Sequence, residues 1–307
     1  MSKIECSVVI PVFNSQDCLQ ELFIKIKNVF IELKLSYEII FVNDSSIDDS
    51  WSVIKKLALH DKNVKGICFR KNFGQDNALM AGLKLSNGNY VIIMDDDLQH
   101  DPCYIPELLD EISKGFDVVY AKYFIKKQKV WKNIGSWFND KAANIILKKP
   151  NDVYLSPYKI IEKGIVKDIC KYNGAYPYVD GLLFNTTNCF SYIGIEHKER
   201  FKGKSNYTFW RSFRVWSHLA TSFSIFPLRL ASVLGLISSF IGILTALIFF
   251  VEKIINPFQP TGWASTIISI LVLGGIQLFS IGILGEYIGR TYLNINKKPQ
   301  YTIKEVI

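Results

Sequence analysis

Three consecutive carboxylates follow a short apolar run in the first third of the chain. Residues 91–94 are Val-Ile-Ile-Met, and Asp95, Asp96 and Asp97 come directly after them. An apolar run without helical spacing that ends in acidic residues predicts a buried parallel strand leading into a loop. Alternate residues of an extended segment share a face, so Asp95 and Asp97 can converge on one divalent cation while Asp96 points away. Taken alone, the motif also fits an acidic turn that binds nothing.

Three earlier strands are predicted to end in polar residues. Apolar strands are expected at 6–12, 37–42 and 64–69, and each is followed by a helical segment. This alternation indicates an α/β fold in which helices wrap a parallel sheet. In such sheets, ligands bind at the carboxyl ends of the strands. The polar residues at those ends are Asn14, Asp44, Arg70 and Lys71.

This ordered set of strand-end groups suits a nucleotide. A carboxylate can bind the base or ribose, cations can bind a diphosphate, and a metal can bridge it. The Gly-x-Gly-x-x-Gly turn of an ordinary dinucleotide fold does not follow the first strand. Each group alone is a weaker signal, because Asp44 also fits a helix cap and Arg70 and Lys71 also fit a solvated strand end.

Two uncharged apolar runs predict membrane-spanning helices. Residues 230–251 and 263–285 contain no charged side chain, and each is long enough to cross about 30 Å of hydrocarbon. A pair of buried core helices is the alternative. Arg and Lys residues flank both runs, so both flanks are expected to face the cytoplasm. The predicted organisation is a cytoplasmic catalytic domain (1–206), an interfacial amphipathic helix (207–227), a transmembrane hairpin (228–290) and a cytoplasmic tail (291–307).

The charge and the cysteines exclude several other classes of protein. The net charge of +8 could suggest nucleic acid, but no nucleic-acid motif accompanies it. Anionic lipid and phosphate ligands explain the charge better in a chain with membrane spans. The six cysteines form no Cys-x-x-Cys pair, which argues against zinc, iron–sulfur and disulfide frameworks.

Four segments together resemble family 2 inverting glycosyltransferases. They are Ser-Val-Val-Ile-Pro-Val-Phe-Asn (7–14), Val-Asn-Asp-Ser-Ser (42–46), Phe-Arg-Lys-Asn-Phe-Gly (69–74) and Asp-Asp-Asp-Leu-Gln (95–99). The narrower resemblance is to the polyprenyl-phosphate group of dolichol-phosphate mannose synthase and bacterial bactoprenol glucosyltransferases. Segment 273–290 is similar to the bacterial branch. The resemblance implies an A-type glycosyltransferase fold, a nucleotide-sugar donor and Mg²⁺ or Mn²⁺.

The resemblance also implies roles for individual residues. Asp95 and Asp97 would hold the metal and manage the diphosphate. Gln99 is placed with them in the catalytic group, on the side of the sugar or the acceptor. The residues implied in donor binding are Pro11, Asn14, Asp44, Arg70, Lys71 and Asp96.

The middle of the domain departs from the family pattern. Many relatives carry Gly-Asp-Phe-Arg, whose Asp is often proposed as a base, whereas residues 156–159 here are Ser-Pro-Tyr-Lys. Lys159 keeps the cation, but Pro157 replaces the carboxylate. A phosphate monoester has a second pKa of about 6 and needs little deprotonation at neutral pH, so the change favours a phosphate acceptor over a hydroxyl. Asp180 is another acidic candidate, which also fits a turn.

A basic segment before the apolar runs is the predicted acceptor site. Arg200, Gly203 and Ser205 resemble the family's Arg-x-x-Gly-x-Ser. Its Arg and Lys donors suit a lipid phosphate, although a basic loop beside a membrane also fits general binding of headgroups. The residues predicted to bind the acceptor phosphate are Lys159, Arg200, Lys204 and Ser205.

These features predict a multi-pass enzyme of the bacterial inner membrane with both termini in the cytoplasm. It would move a sugar from a nucleotide-sugar, with a UDP-sugar favoured, to undecaprenyl phosphate with inversion. The product would be a lipid-linked sugar for modification of cell-surface glycans. One alternative is the same fold acting on a glycan or glycolipid hydroxyl, and another is a catalytically silent membrane protein. The sequence does not name the sugar, and it leaves a homo-oligomer open.

Overall fold

The computed structural model describes residues 4–123, 155–195, 226–255, 262–296 and 299–307. The chain divides into two compact units. An α/β unit comprises residues 1–206 together with 297–307, and a helical unit comprises residues 207–296. The interfacial helix predicted over 207–227 lies outside the described residues as far as residue 225.

One mixed, mostly parallel sheet forms the centre of the α/β unit. Its eight described strands are β1 (Cys6–Val12), β2 (Tyr37–Asn43), β3 (Val64–Phe69), β4 (Tyr90–Ile93), β5 (Val118–Tyr123), β6 (Lys159–Glu162), β7 (Phe190–Ile195) and β8 (Ile303–Val306). Their spatial order is β7-β5-β6-β4-β1-β2-β3-β8. The pairs β1–β2, β1–β4, β2–β3 and β5–β7 are parallel, whereas β6 and β8 run antiparallel to their neighbours.

A helix follows each of the first three strands, as the sequence predicts, and three further helices follow later in the chain. Those of the α/β unit are α1 (Leu19–Leu33), α2 (Ser50–His60), α3 (Gln75–Leu85), α4 (Ile105–Ser113), α5 (Lys163–Ile169) and α6 (Val179–Thr186). A short 3₁₀ turn over Pro102–Tyr104 precedes α4.

The core explains why the first strand has no polar alternation. All seven residues of β1 are buried, because β2 and β4 flank its two edges and helices cover the faces of the central parallel strands. From one side, α1 contributes Leu22, Ile26 and Phe30, which recur at helical spacing and are almost fully buried. These apolar faces hold the strands in one register and therefore place their carboxyl ends side by side.

The C-terminal segment is part of the sheet rather than a separate tail. Strand β8 pairs antiparallel with β3 and forms one edge. The ring of Tyr301 stacks on Phe69 with 5.0 Å between centroids, and Trp51 Nε1 donates to Glu305 Oε2 at 3.0 Å. The predicted tail over 291–307 therefore contains a structural element that the sequence analysis missed.

Two long apolar helices form the hairpin of the helical unit. They are α7 (Phe226–Ile255) and α8 (Trp263–Ile295), both longer than the predicted runs. Their most apolar windows are Ala231–Ile248 and Val272–Gly289, with mean hydropathies of 2.2 and 1.4. Only 6% and 0% of these windows are buried within the protein. So much exposed apolar surface needs a non-aqueous environment, which indicates association with a membrane.

Candidate active site

The carboxyl ends of three adjacent strands define the candidate site. Strand β1 lies between β2 and β4, with Val12 opposite Asn43 and Val9 opposite Ile93. The loops that follow these strands therefore emerge at one edge of the sheet. Pro11 lies within β1, buried and opposite Val42.

Asp44 anchors the loop that follows β3. Its side chain is buried, and its two oxygens accept separate backbone hydrogen bonds, Oδ1 from Phe73 N at 2.7 Å and Oδ2 from Gly74 N at 2.8 Å. Gly74 has a φ of +92°, a conformation that glycine adopts readily. Burial raises the pKa of Asp44 despite these two bonds. The structure thus gives Asp44 a local role in addition to its predicted contact with the donor, which stays a prediction.

Asn14 joins the loops after β1 and β2. Its backbone is left-handed, with a φ of 56°, which Asn tolerates better than most residues. The Asn14 N–H donates to Ser46 Oγ at 3.0 Å, and its Oδ1 accepts from Ile47 N at 2.8 Å. These bonds fix the two loops relative to each other at the predicted donor edge.

Asp96 links the end of β4 to the end of β1. Its Oδ2 accepts the backbone N–H of Phe13 at 3.2 Å. Burial, with smaller effects from Asp95 and Asp97, raises the pKa of Asp96 to about 6. The middle carboxylate of the three is therefore used within the protein, and its predicted contact with the donor remains a prediction.

Asp95 and Asp97 are partly exposed at the same edge. Asp95 Oδ1 accepts from Gln75 Nε2 at 2.8 Å, and its Oδ2 lies 3.7 Å from Nε2 of the buried His100. Asp97 Oδ1 accepts the backbone N–H of Gln99 at 3.1 Å. Each carboxylate is therefore oriented by the protein while part of its surface stays accessible.

These two carboxylates fit a divalent cation that the substrate helps to hold. Among the described residues, no three His, Cys, Asp or Glu side chains gather into a metal site. Mg²⁺ commonly takes one or two carboxylates and completes its coordination with substrate phosphates and water. A pair of hard oxygen donors beside the predicted diphosphate site matches that chemistry, and Asp95 and Asp97 would be the protein ligands.

Arg70 and Lys71 extend this edge beyond β3. Both side chains are exposed, and the Arg70 N–H donates to Thr302 O at 3.0 Å. The C-terminal segment therefore fixes the backbone from which these two cations project. Their exposure leaves them accessible to a phosphate ligand.

Of the four predicted acceptor residues, only Lys159 lies among the residues that the structure describes. Lys159 is buried in β6, and its Nζ forms an ion pair with Asp180. The structure thus gives this cation a protein partner, and its predicted binding of the acceptor phosphate stays a prediction. Arg200, Lys204 and Ser205 lie outside the described residues, so their predicted role stays a prediction.

Comparison with known proteins identifies the family. Residues 7–170 match Glycosyl transferase family 2, and residues 226–291 match the GtrB C-terminal hairpin. The chain belongs to glycosyl transferase family 2. The predictions of the family and of the two-helix hairpin are confirmed.

Two relatives resemble the glycosyltransferase over nearly its whole length. The prophage bactoprenol glucosyl transferase homolog of Escherichia coli (strain K12) is 34% identical over 304 residues, covering 98% of each chain. The bactoprenol glucosyl transferase of Shigella phage SfX is 34% identical over 301 residues, covering 97% of this chain and 98% of the relative.

Solved structures share the fold of the glycosyltransferase. Glucosyl-3-phosphoglycerate synthase from Mycobacterium tuberculosis, in complex with Mn²⁺, UDP and phosphoglyceric acid, superposes with a TM-score of 0.54. It is 15% identical, and the match covers 71% of this chain and 76% of the other. The same enzyme with Mg²⁺ and UDP gives a TM-score of 0.53 over 71% and 77% of the two chains. The predicted A-type fold is confirmed.

Sequence reasoning about the glycosyltransferase missed two neighbours of Asp95. Gln75 opens α3, and His100 follows the three carboxylates by a few residues. His100 stands in the same segment as the carboxylates, which is a weak signal of proximity. Gln75 comes from another element, and only the packing of α3 against the sheet brings it to Asp95.

Proposed function

We propose that this glycosyltransferase moves a sugar from a UDP-sugar to a polyprenyl phosphate, with undecaprenyl phosphate as the acceptor. The observation that carries the proposal is the pair Asp95 and Asp97, held partly exposed at a nucleotide-type sheet edge in a chain that also has an apolar hairpin. The relatives named bactoprenol glucosyl transferase support the same acceptor class. The lipid-linked sugar would then serve modification of surface glycans.

The donor would lie across the ends of β1, β2 and β4. Asp95 and Asp97 would hold Mg²⁺ or Mn²⁺, and the bound ion supplies Lewis-acid stabilisation of the departing diphosphate. Arg70 and Lys71 are exposed near this edge and would add positive charge beside the phosphates. Asp44 and Asp96 would keep the surrounding loops in place through the backbone bonds described above.

The acceptor would attack the anomeric carbon from the face opposite the diphosphate. A lipid phosphate oxygen forms the new bond as the bond to the diphosphate breaks, so the configuration inverts. A phosphate monoester, with a second pKa of about 6, is largely dianionic at neutral pH. This acceptor therefore needs positioning more than a general base, which suits a chain with Pro157 in place of the family's Asp.

The hairpin would make the enzyme a multi-pass protein of the bacterial inner membrane. If both helices span the membrane, the segments before α7 and after α8 would lie on the same side of it. Positive residues on both flanks favour the cytoplasm for that side. Nucleotide-sugars would then reach the catalytic unit from the cytoplasm, while the lipid acceptor arrives within the membrane.

The direct test uses the purified full chain with undecaprenyl phosphate and Mg²⁺ or Mn²⁺. A panel of UDP-, GDP- and dTDP-sugars is supplied, and the lipid product is identified by mass. We expect one sugar–phospholipid, lost on chelation of the metal. Asp110→Asn serves as a matched control, because that carboxylate is 74% exposed on α4, and it should turn over like the wild type. Nucleotide release with no lipid product would contradict the proposed acceptor.

A further inference from the structure

A cavity of about 220 Å³ lies next to the candidate active site. Its wall includes Ile93, the last residue of β4, and Gln75, whose Nε2 donates to Asp95 Oδ1 at 2.8 Å. One side chain therefore separates the cavity from a predicted metal ligand. The sugar of a nucleotide-sugar is bonded directly to the diphosphate, so it must occupy space of this kind beside Asp95.

Asp180 presents a carboxylate to this cavity in a fixed orientation. Its Oδ1 accepts from Tyr120 OH at 2.9 Å and is also paired with the Nζ of Lys159. Both bonds use the same oxygen, and among the described residues Oδ2 has no protein hydrogen-bond donor. The side chain keeps 17% of its surface exposed. Two protein donors thus orient this carboxylate through Oδ1, and Oδ2 stays available to a ligand.

Asp76 adds a second carboxylate to the same wall. Its Oδ1 accepts the backbone N–H of Val179 at 3.0 Å, at the start of α6. Burial, with a smaller effect from Asp180, raises the pKa of Asp76 to about 6. Among the described residues, the lining therefore contains two carboxylates and one ammonium group, that of Lys159, and position 157 contributes a proline.

We propose that Asp180 determines donor specificity by accepting hydrogen bonds from the sugar hydroxyls of a neutral hexose. The proposal rests on the proposed function, because it assumes a nucleotide-sugar donor at Asp95 and Asp97. Hydrogen bonds from hydroxyls to a carboxylate are charge-assisted and strong. The excess negative charge of the described lining repels a second anion, so a sugar that carries its own carboxylate is rejected. Lys159 and Tyr120 are positioning residues that act through Asp180.

The experiment measures binding of UDP, UDP-glucose, UDP-N-acetylglucosamine and UDP-glucuronate to the full chain with Mn²⁺, by calorimetry. We expect the wild type to prefer the better neutral sugar over UDP-glucuronate by at least about tenfold, equivalent to 1.4 kcal/mol. Asp180→Asn should bind UDP within twofold of the wild type and lose most of that preference. Asp168→Asn, a half-exposed carboxylate on α5, should preserve the preference.

A second variant covers the case in which Asp180→Asn misfolds because Lys159 loses its partner. Tyr120→Phe removes one bond to Oδ1 and keeps the ion pair, and it should narrow the preference by about two- to fivefold, in line with the loss of one hydrogen bond. An unchanged preference in a folded Asp180→Asn protein overturns the proposal, as does a parallel loss of affinity for UDP itself. No acceptor is present, so failure of transfer to undecaprenyl phosphate would refute the proposed function and leave this result standing.

Discussion

Two cavities of equal size lie in the α/β unit, and they differ in how completely the protein hydrogen-bonds their carboxylates. Each has a volume of about 220 Å³ and a wall that contains a lysine paired with a carboxylate. One is the cavity beside Asp95, with Lys159 and Asp180. The other is lined by Tyr37, Glu38 and Lys65 at the opposite end of the strands.

The carboxylate of the distant cavity is fully engaged by the protein. Glu38 Oε1 accepts from Ser7 Oγ and Asn87 N, and Oε2 accepts from Lys65 Nζ, each at 2.6 Å. Burial opposes the charge of Glu38, but the bonds from Lys65, Ser7 and Asn87 outweigh it and lower the pKa. Both oxygens of Glu38 therefore have protein donors, and no ligand is needed to complete their hydrogen bonds.

In the cavity beside Asp95, by contrast, the protein offers the carboxylates fewer hydrogen-bond donors. Asp180 has both of its described bonds on one oxygen, and the pKa of Asp76 is raised because one backbone N–H does not offset its burial. A half-buried carboxylate that the protein leaves incompletely bonded is costly unless a ligand or water completes its hydrogen bonds. The number of donors on each carboxylate, rather than cavity volume, therefore distinguishes the proposed binding cavity from the distant one.

The largest expected effect comes from the carboxylates beside the first cavity. Asp95→Ala and Asp97→Ala each remove a proposed metal ligand, and metal stabilisation of a leaving group amounts to several kcal/mol. Transfer to the lipid should fall by at least about 100-fold, measured by the rate of lipid product formation. Membrane insertion should persist, as membrane fractionation will check. Full turnover by the purified double variant would refute the assignment.

An intermediate effect is expected in the distant cavity. Glu38→Gln removes the charge that Lys65 and Ser7 bind, so the free energy of unfolding should fall by about 1–3 kcal/mol. In a unit of this size that corresponds to a decrease in Tm of about 2–12 °C, measured by thermal unfolding in detergent. The preference among UDP-sugars should stay the same. A change in that preference with no change in Tm would contradict the claim that Glu38 stabilises the fold and does not select the sugar.

The smallest expected effect is on the pH dependence of stability, to which Asp76 and Glu38 contribute with opposite sign. The pKa of Asp76 rises from 3.8 to about 6 on folding, so between these values the folded state binds more protons than the unfolded state. Its contribution to stability is therefore present below about pH 4 and is lost as the pH rises through 6. Glu38 has a lowered pKa, so its contribution is present above its unfolded pKa and is lost as the pH falls through the folded value.

Thermal unfolding of Asp76→Asn and the wild type from pH 4 to pH 7.5 checks this sign. The variant should gain stability relative to the wild type above pH 6, and the difference should shrink toward pH 4. Taking the difference between the two proteins removes the contribution of Asp96, whose pKa is also raised. A difference that is constant across this range would contradict the raised pKa of Asp76.

The sequence predicts what local patterns encode. Apolar runs predict the buried strands, and helical spacing predicts α1. The location of Asp95 and Asp97 at the edge of the sheet is predicted because they follow the apolar run of β4. Strand β8 was missed because it is four residues long with Lys304 and Glu305 at its centre. Its partner β3 is more than 200 residues away, so no local period reveals the pairing.

The cavity around Asp180 could not be predicted for the same reason. Lys159 was interpreted from a motif that suggested a phosphate, whereas its partner stands 21 residues further on at the start of α6. Tyr120 reaches the same carboxylate from β5. A motif records the residue types of one segment, while the function of a buried charge depends on the segments packed against it.

The most direct test of the central claim compares two acceptors that differ in one group. The purified enzyme, its preferred nucleotide-sugar and Mg²⁺ or Mn²⁺ are incubated with undecaprenyl phosphate or with undecaprenol, and the lipid products are identified by mass. We predict a glycosylated product from the phosphate and none from the alcohol, because the phosphate arrives already deprotonated. Equal product from both lipids, or product from the alcohol alone, would contradict transfer to a polyprenyl phosphate.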